Sequence, residues 1–135
     1  MFSVILAIHN VLRWAVILLL IAAVIRAWMG WLGKRDWLPL DRKLGMFASM
    51  AMDIQLLLGL ILYFVLSPLT KIAFQDFGAA MSTSGLRFFA IEHALLMIVA
   101  AVLIHLGSML PRKVTDFVVK HRRAALWFTL ALLLL

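Results

Sequence analysis

Three ionisable side chains lie inside one long apolar stretch of this sequence. Between Phe88 and Leu110 the only such groups are Glu92, His93 and His105. A stretch of this length and composition is sufficient to cross the hydrocarbon core of a bilayer, about 30 Å thick, as a helix. An ionisable group at that depth is costly unless it faces protein, forms a pair or holds a cofactor. His93 is therefore the first candidate for a functional residue.

A second histidine lies at a matching depth in the first apolar stretch. His9 follows Phe2 by seven residues, and His93 follows Phe88 by five. If the two spans run in the same direction, a rise of about 1.5 Å per residue makes their depths agree within roughly 3 Å. The first and third helices of an up-and-down bundle are diagonal neighbours, so two imidazoles can approach one central object from opposite sides. One haem b whose iron takes both histidines as axial ligands fits this arrangement, and packing histidines are the alternative.

Polar residues near these histidines are candidates to complete such a site. Arg13 is four residues after His9 and therefore lies on nearly the same helical face. We expect it to pair with a haem propionate or with Glu92. Asp53 and Gln55, in the second apolar stretch, are expected to pair with a neighbouring helix or with Arg13, because polar groups inside a bilayer need partners.

The other histidines are weaker candidates for ligands. His105 is 12 residues after His93 and is rotated from it by about 120°. At its depth the first span contains residues 18–23, none of which can ligate iron, so the sequence predicts no second haem. His121 lies in a basic segment and is expected to be solvated. Met97 is one turn beyond His93 and is interpreted as a packing residue.

The composition indicates an integral membrane protein. Of the 135 residues, 66% are hydrophobic and 14% are charged, with a mean hydropathy of +1.10. These values exclude a soluble domain with a polar shell. The absence of cysteine excludes disulfides, iron–sulfur clusters and thiolate ligation, which leaves histidine as the strong metal ligand. The sequence predicts one all-α domain, an up-and-down four-helix membrane bundle with spans at residues 2–28, 44–66, 86–110 and 117–135.

The ends of the spans carry further signals. The first span lacks a charged region before it and a small-residue cleavage site, so it is interpreted as retained. Pro68 ends the second span, and residues 69–85 are expected to lie along the interface, with a helix cap at 82–85. The fourth span must begin near Phe117, with basic side chains reaching back to the interface, or continue past Leu135.

Basic residues are concentrated in two of the three connections. Residues 26–43 and residues 112–123 contain five Lys and Arg each, whereas residues 67–87 contain only Lys71 and Arg87. The positive-inside rule then places the first and third connections in the cytoplasm and both termini outside. The net charge of +7 comes from basic residues at the ends of the spans, where they serve as orientation signals, so nucleic acid is not an expected partner.

Three motifs resemble a known family. They are His9-Asn-Val-Leu-Arg13-Trp14, Gln55-Leu-Leu-Leu-Gly59-Leu-Ile-Leu-Tyr63-Phe64 and Arg87-Phe88-x3-Glu92-His93-x3-Met97. In these motifs, over roughly residues 7–113, the chain is similar to small bacterial four-helix membrane proteins labelled "cytochrome b". The resemblance implies a haem-b protein of the bacterial inner membrane, with His9 and His93 carried over as ligands. Family members often have a histidine where this chain has Asp53.

Three functions are compatible with these features. We favour a haem-b-binding electron-transfer subunit of a larger respiratory or photosynthetic complex, linking a quinol pool to other membrane subunits. Nothing in the sequence supplies hydride chemistry or a nucleophile–base pair, so a stand-alone enzyme is not expected. A cofactor-free accessory subunit would instead use Arg13, Asp53, Gln55 and Glu92 as a buried polar network. An ion or proton conduit would use Glu92, His93 and Asp53 as relay groups.

Overall fold

The computed structural model describes all 135 residues, and every regular element in it is a helix. The α-helices are α1 (Phe2–Leu32), α2 (Pro39–Ile61), α3 (Pro68–Gln75), α4 (Phe77–Ser82), α5 (Ser84–Arg87), α6 (His93–Met109) and α7 (Phe117–Leu134). Two π-helical turns adjoin these helices: Leu62–Leu66 extends α2, and Phe88–Glu92 precedes α6. A 3-10 turn, Leu110–Lys113, follows α6. The fold is all-α, as the composition predicts.

Three continuous helical segments are long and apolar enough to cross a membrane. They are Phe2–Leu32, Pro39–Leu66 and Ser84–Lys113. Each contains one of the first three spans predicted from the sequence, and together they indicate a membrane protein. Helix α7 begins at Phe117 as expected, but its first two turns carry the basic cluster Lys120–Arg123, and it is not among the three.

The four long helices pack around one core. Helix α1 packs against α2 and α7, and α6 packs against the same two helices, so α1 and α6 lie on a diagonal. Alanines fill many contact positions and let the backbones approach closely, as small residues do at helix interfaces in membranes. The core consists of Val16, Leu20, Ala23, Ala27, Ala48, Met52, Ala100, Ala101, Ile104, Ala124, Ala125, Phe128 and Ala131.

A buried ion pair joins α1 to the start of α2. The Nε of Arg26 donates to Oδ1 of Asp41 over 2.8 Å, and the Asp41 side chain is only 3% exposed. The other oxygen of Asp41 accepts the backbone N–H of Leu38 at 2.8 Å. Helix α2 begins at this point because Asp41 caps the first turn and Pro39 needs no N–H partner there. This corner fixes the antiparallel alignment of α1 and α2.

The connection between the second and third long segments is helical. Pro68 breaks α2 from α3, as predicted, and Asp76 caps α4 by accepting the N–H of Ala79 at 3.0 Å. Thr83 precedes α5 but makes no side-chain cap bond, so the cap expected at residues 82–85 is not formed. Helices α3 to α5 have a small core of their own, made of Ala73 and Ala80 with Ala90 from the second π-turn.

Candidate functional site

The structure brings His9 and His93 together, as their depths predict. Their ring centres are 6.4 Å apart, and their planes are inclined by 82°. His9 is on α1 and His93 is the first residue of α6, so the rings meet across the diagonal of the bundle. Both side chains are partly buried. These two imidazoles are the centre of the candidate site.

The π-turn before α6 positions His93. In a π-turn the hydrogen bonds join residues five apart, and such turns often occur at functional sites. Within this turn the Nε of Arg87 donates to Glu92 over 2.7 Å, across five residues. The hydroxyl of Tyr63, in the π-turn that extends α2, donates to the carbonyl oxygen of Ala90. The two π-turns are therefore tied together directly beside His93.

Gln55 of α2 contacts both the backbone and the ring of His9. Its amide Nε2 donates to the backbone carbonyl of His9 at 3.0 Å and lies 3.4 Å from the Nε2 of the same residue. Gly59, one turn further, gives the ring room, because a Cβ there would be 3.3 Å from Cε1 of His9. The Nδ1 of His9 and the Oε1 of Gln55 are buried without a hydrogen-bond partner. Unpaired buried polar atoms are rare in folded proteins, and the Nδ1 of His121 is the third such atom in the structure.

Arg13 does not form either of the carboxylate pairs expected for it. Glu92 is paired with Arg87 instead, and Asp53 is paired with His105. The guanidinium of Arg13 is exposed and lies 5.5 Å from the centre of the Trp14 ring. Neither Glu92 nor Asp53 pairs with Arg13, because each carboxylate contacts another side chain. Arg13 therefore has no carboxylate partner in the structure.

His105 forms a pair that the sequence analysis did not identify. Its Nε2 is 3.3 Å from Oδ1 of Asp53, and its Nδ1 is 2.8 Å from the carbonyl oxygen of Ala101. This pair joins α6 to α2 and lies away from His9 and His93, as the predicted rotation of His105 requires. The partner of Asp53 is thus a neighbouring helix, which was one of the expected alternatives.

The expectation that His121 is solvated was wrong. The residue is 2% exposed and packs against Trp37, with ring centres 4.9 Å apart. Its Nε2 lies 3.1 Å from the carbonyl oxygen of Asp36 and donates to it. The basic segment around His121 is helical, and one face of that helix turns inward against α1 and the 33–38 loop.

The chain has no match among known protein families, curated proteins or solved structures. The structure also contains no cluster of three or more His, Asp or Glu side chains arranged to hold a metal ion. His9 and His93 are the two imidazoles that the fold brings close to one another.

Proposed function

We propose that the chain is a membrane electron-transfer subunit that binds one haem b through His9 and His93. The observation that carries this proposal is the 6.4 Å between the two ring centres. At that distance the two imidazoles would hold the haem iron between them, and the bound haem would supply one-electron chemistry.

The unpaired atoms beside His9 support the same assignment. A buried donor or acceptor without a partner costs about 1–3 kcal/mol. In the chain alone, both Nδ1 of His9 and Oε1 of Gln55 are in that state. Ligation fixes which imidazole nitrogen carries the proton, and the amide of Gln55 can then orient to match it. Gln55 is therefore proposed as the residue that sets the orientation of the His9 ring.

The other residues of the site have distinct roles in this proposal. Arg13 is on the helical face of His9 and within electrostatic range of both imidazoles, so it is assigned to a propionate. Arg87 and Glu92 satisfy one another, which leaves His93 without a competing carboxylate. The rigid helices hold both ligands in place, as a fast one-electron centre requires.

We infer a four-helix arrangement in the bacterial inner membrane, with both termini outside. The packing of α7 against α1 and α6 supports its inclusion as the fourth span. The clustering of basic residues in the first and third connections supports the orientation. The proposed partners are other membrane subunits and a quinol pool, since both are reached within the bilayer that the three apolar segments indicate.

A cofactor-free accessory subunit is the second candidate. It is favoured by one observation, the contact between Gln55 and His9, which is a polar helix–helix contact of the kind that stabilises membrane bundles. Reduced-minus-oxidised absorption spectra of the purified protein separate the two functions. Haem b gives a sharp difference spectrum on addition of dithionite, and the absence of that spectrum from a chain reconstituted with haem would exclude the haem-binding function.

A further inference from the structure

The Asp53–His105 pair is open to the lipid. The Asp53 side chain is 57% exposed and the His105 side chain is 39% exposed. Asp53 is at the middle of the apolar segment Pro39–Leu66, so this exposure is at the centre of the bilayer if α2 crosses it. The neighbouring exposed residues are apolar, namely Met50 and Leu57 on α2 and Val102 and Met109 on α6. Only a molecule dissolved in the bilayer, or another membrane protein, can reach the pair.

His105 is held between α6 and α2 by both of its ring nitrogens. Its Nδ1 is 2.8 Å from the Ala101 carbonyl oxygen, which can only accept, so Nδ1 carries a hydrogen. Its Nε2 lies 3.3 Å from Oδ1 of Asp53. The imidazole therefore fixes the position of one carboxyl oxygen of Asp53.

One hydrogen-bonding position of the pair is unused. Oδ1 of Asp53 faces His105, and no protein donor reaches Oδ2. An acceptor at the bilayer centre without a donor costs free energy, so the position favours a lipid-soluble hydroxyl. A phenolic hydroxyl suits it best, because a phenol, with a pKa of about 10, is a much stronger donor than an aliphatic alcohol. Phenols with long tails also dissolve in the bilayer.

We propose that Asp53 and His105 form a lipid-facing binding site for a phenolic head group dissolved in the bilayer, a hydroquinone being the natural example. The phenolic hydroxyl donates to Oδ2 of Asp53, while the contact of His105 with Oδ1 holds the carboxyl group in place. The flat ring packs on the apolar side chains of α2 and α6 around the pair. The site uses neither His9 nor His93, so it stands or fails separately from haem binding.

The test follows the His105 ring by NMR. The chain has four histidines, so nitrogen-15 labelling gives few signals, and His105→Leu identifies the one required. Protein in lipid nanodiscs is titrated with 4-decylphenol, with its methyl ether, and with decanol. We expect a saturable shift of the His105 signal with the phenol alone. Equal shifts with the ether, or no saturable shift, overturn the proposal.

Two variants show whether Asp53 is the acceptor. Asp53→Leu removes the carboxylate at similar volume, and binding should weaken by roughly 10-fold to 100-fold, the effect of losing a charge-assisted bond. The affinity of this variant is measured with isotope-labelled 4-decylphenol, by following the signal of the phenol. Circular dichroism checks that the variant is folded. Asn10→Leu replaces another exposed polar residue of the lipid-facing surface, away from the pair, and should bind as the parent chain does. Full affinity in Asp53→Leu contradicts the assignment.

Two further outcomes are decisive. A decyl hydroquinone, kept reduced, is expected to displace the labelled decylphenol, and failure to displace it removes hydroquinones from the proposal. If a second protein chain covers the pair instead, a cysteine at Met50, one turn from Asp53, should cross-link between copies. Efficient cross-linking in dilute nanodiscs, with loss of phenol binding, overturns the proposal in favour of a protein interface.

Discussion

The His121 ring packs against Gly30, in the space that a side chain at Gly30 would fill. A Cβ at Gly30 would overlap the Cε1, Nδ1 and Cγ atoms of the ring. The imidazole is held in this position by Trp37 and by its bond to the Asp36 carbonyl oxygen, so it cannot move aside easily. The contact between the end of α1 and the start of α7 thus depends on one glycine and one histidine.

Gly30→Ala should therefore destabilise the fold. Overpacking of this kind costs about 1–3 kcal/mol in thermal or denaturant unfolding. Gly85→Ala is the matched control, since a Cβ at Gly85 meets nothing within 4 Å and the substitution should be neutral. In a His121→Ala background the penalty of Gly30→Ala should largely disappear, because the space is then open. An equal penalty in both backgrounds contradicts the proposed contact.

The common depth of His9 and His93 could be predicted from the sequence, but not all of their partners. Hydropathy locates the ends of the two helical segments, and counting residues from those ends gives the depth of each histidine. The contact of Gln55 with His9 could be found in the same way, by counting residues along two helices from a common point. From the Arg26–Asp41 pair, His9 is 17 residues back along α1 and Gln55 is 14 residues forward along α2.

Other features depend on packing that no single segment encodes. The inward position of His121 requires Gly30, which is distant in sequence and became visible only in the folded chain. The pairing of Arg87 with Glu92 follows from a π-turn, and helical periodicity of 3.6 residues does not predict a contact across five residues. The π-turn thus explains why Glu92 pairs with Arg87, whereas Asp53 is in contact with His105 of another helix.

Gln55→Leu should loosen the His9 ring while leaving the fold intact. The substitution removes both contacts of the amide with His9 at nearly constant volume, and one hydrogen bond contributes about 1 kcal/mol. We expect faster haem loss to an acceptor protein, measured by absorbance, together with a small fall in stability. Gln75→Leu, on the exposed surface of α3, is the control and should change neither quantity. Unchanged haem retention in Gln55→Leu would show that Gln55 has no role in orienting the ligand.

The proposed orientation can be tested with single thiols, because the chain has no cysteine of its own. Ser84 and Thr115 are both exposed and lie in connections assigned to opposite sides of the membrane. A membrane-impermeant maleimide should label Ser84→Cys in sealed, right-side-out vesicles and leave Thr115→Cys unlabelled until the vesicles are opened. Labelling of Ser84→Cys only from the cytoplasmic side contradicts the orientation.

Arg13→Leu should lower the haem reduction potential. The guanidinium has no carboxylate partner in the chain, and its positive charge disfavours the ferric state, which has one more positive charge than the ferrous state. Removing it stabilises the ferric form, and at an effective dielectric constant of about 20 the shift is roughly tens of millivolts. Potentiometric titration measures it, with Arg35→Leu in the exposed loop as the control. An unchanged or higher midpoint at full haem occupancy would place Arg13 away from the cofactor.

The haem spectra of three histidine variants test ligation by His9 and His93. His9→Ala and His93→Ala should each abolish the low-spin haem b spectrum or convert it to a high-spin one, because each removes one of two axial ligands. His105→Ala should keep the parent spectrum, since His105 is engaged with Asp53 and Ala101. Loss of haem from His105→Ala, with a normal low-spin spectrum in His9→Ala, would contradict ligation by His9 and His93.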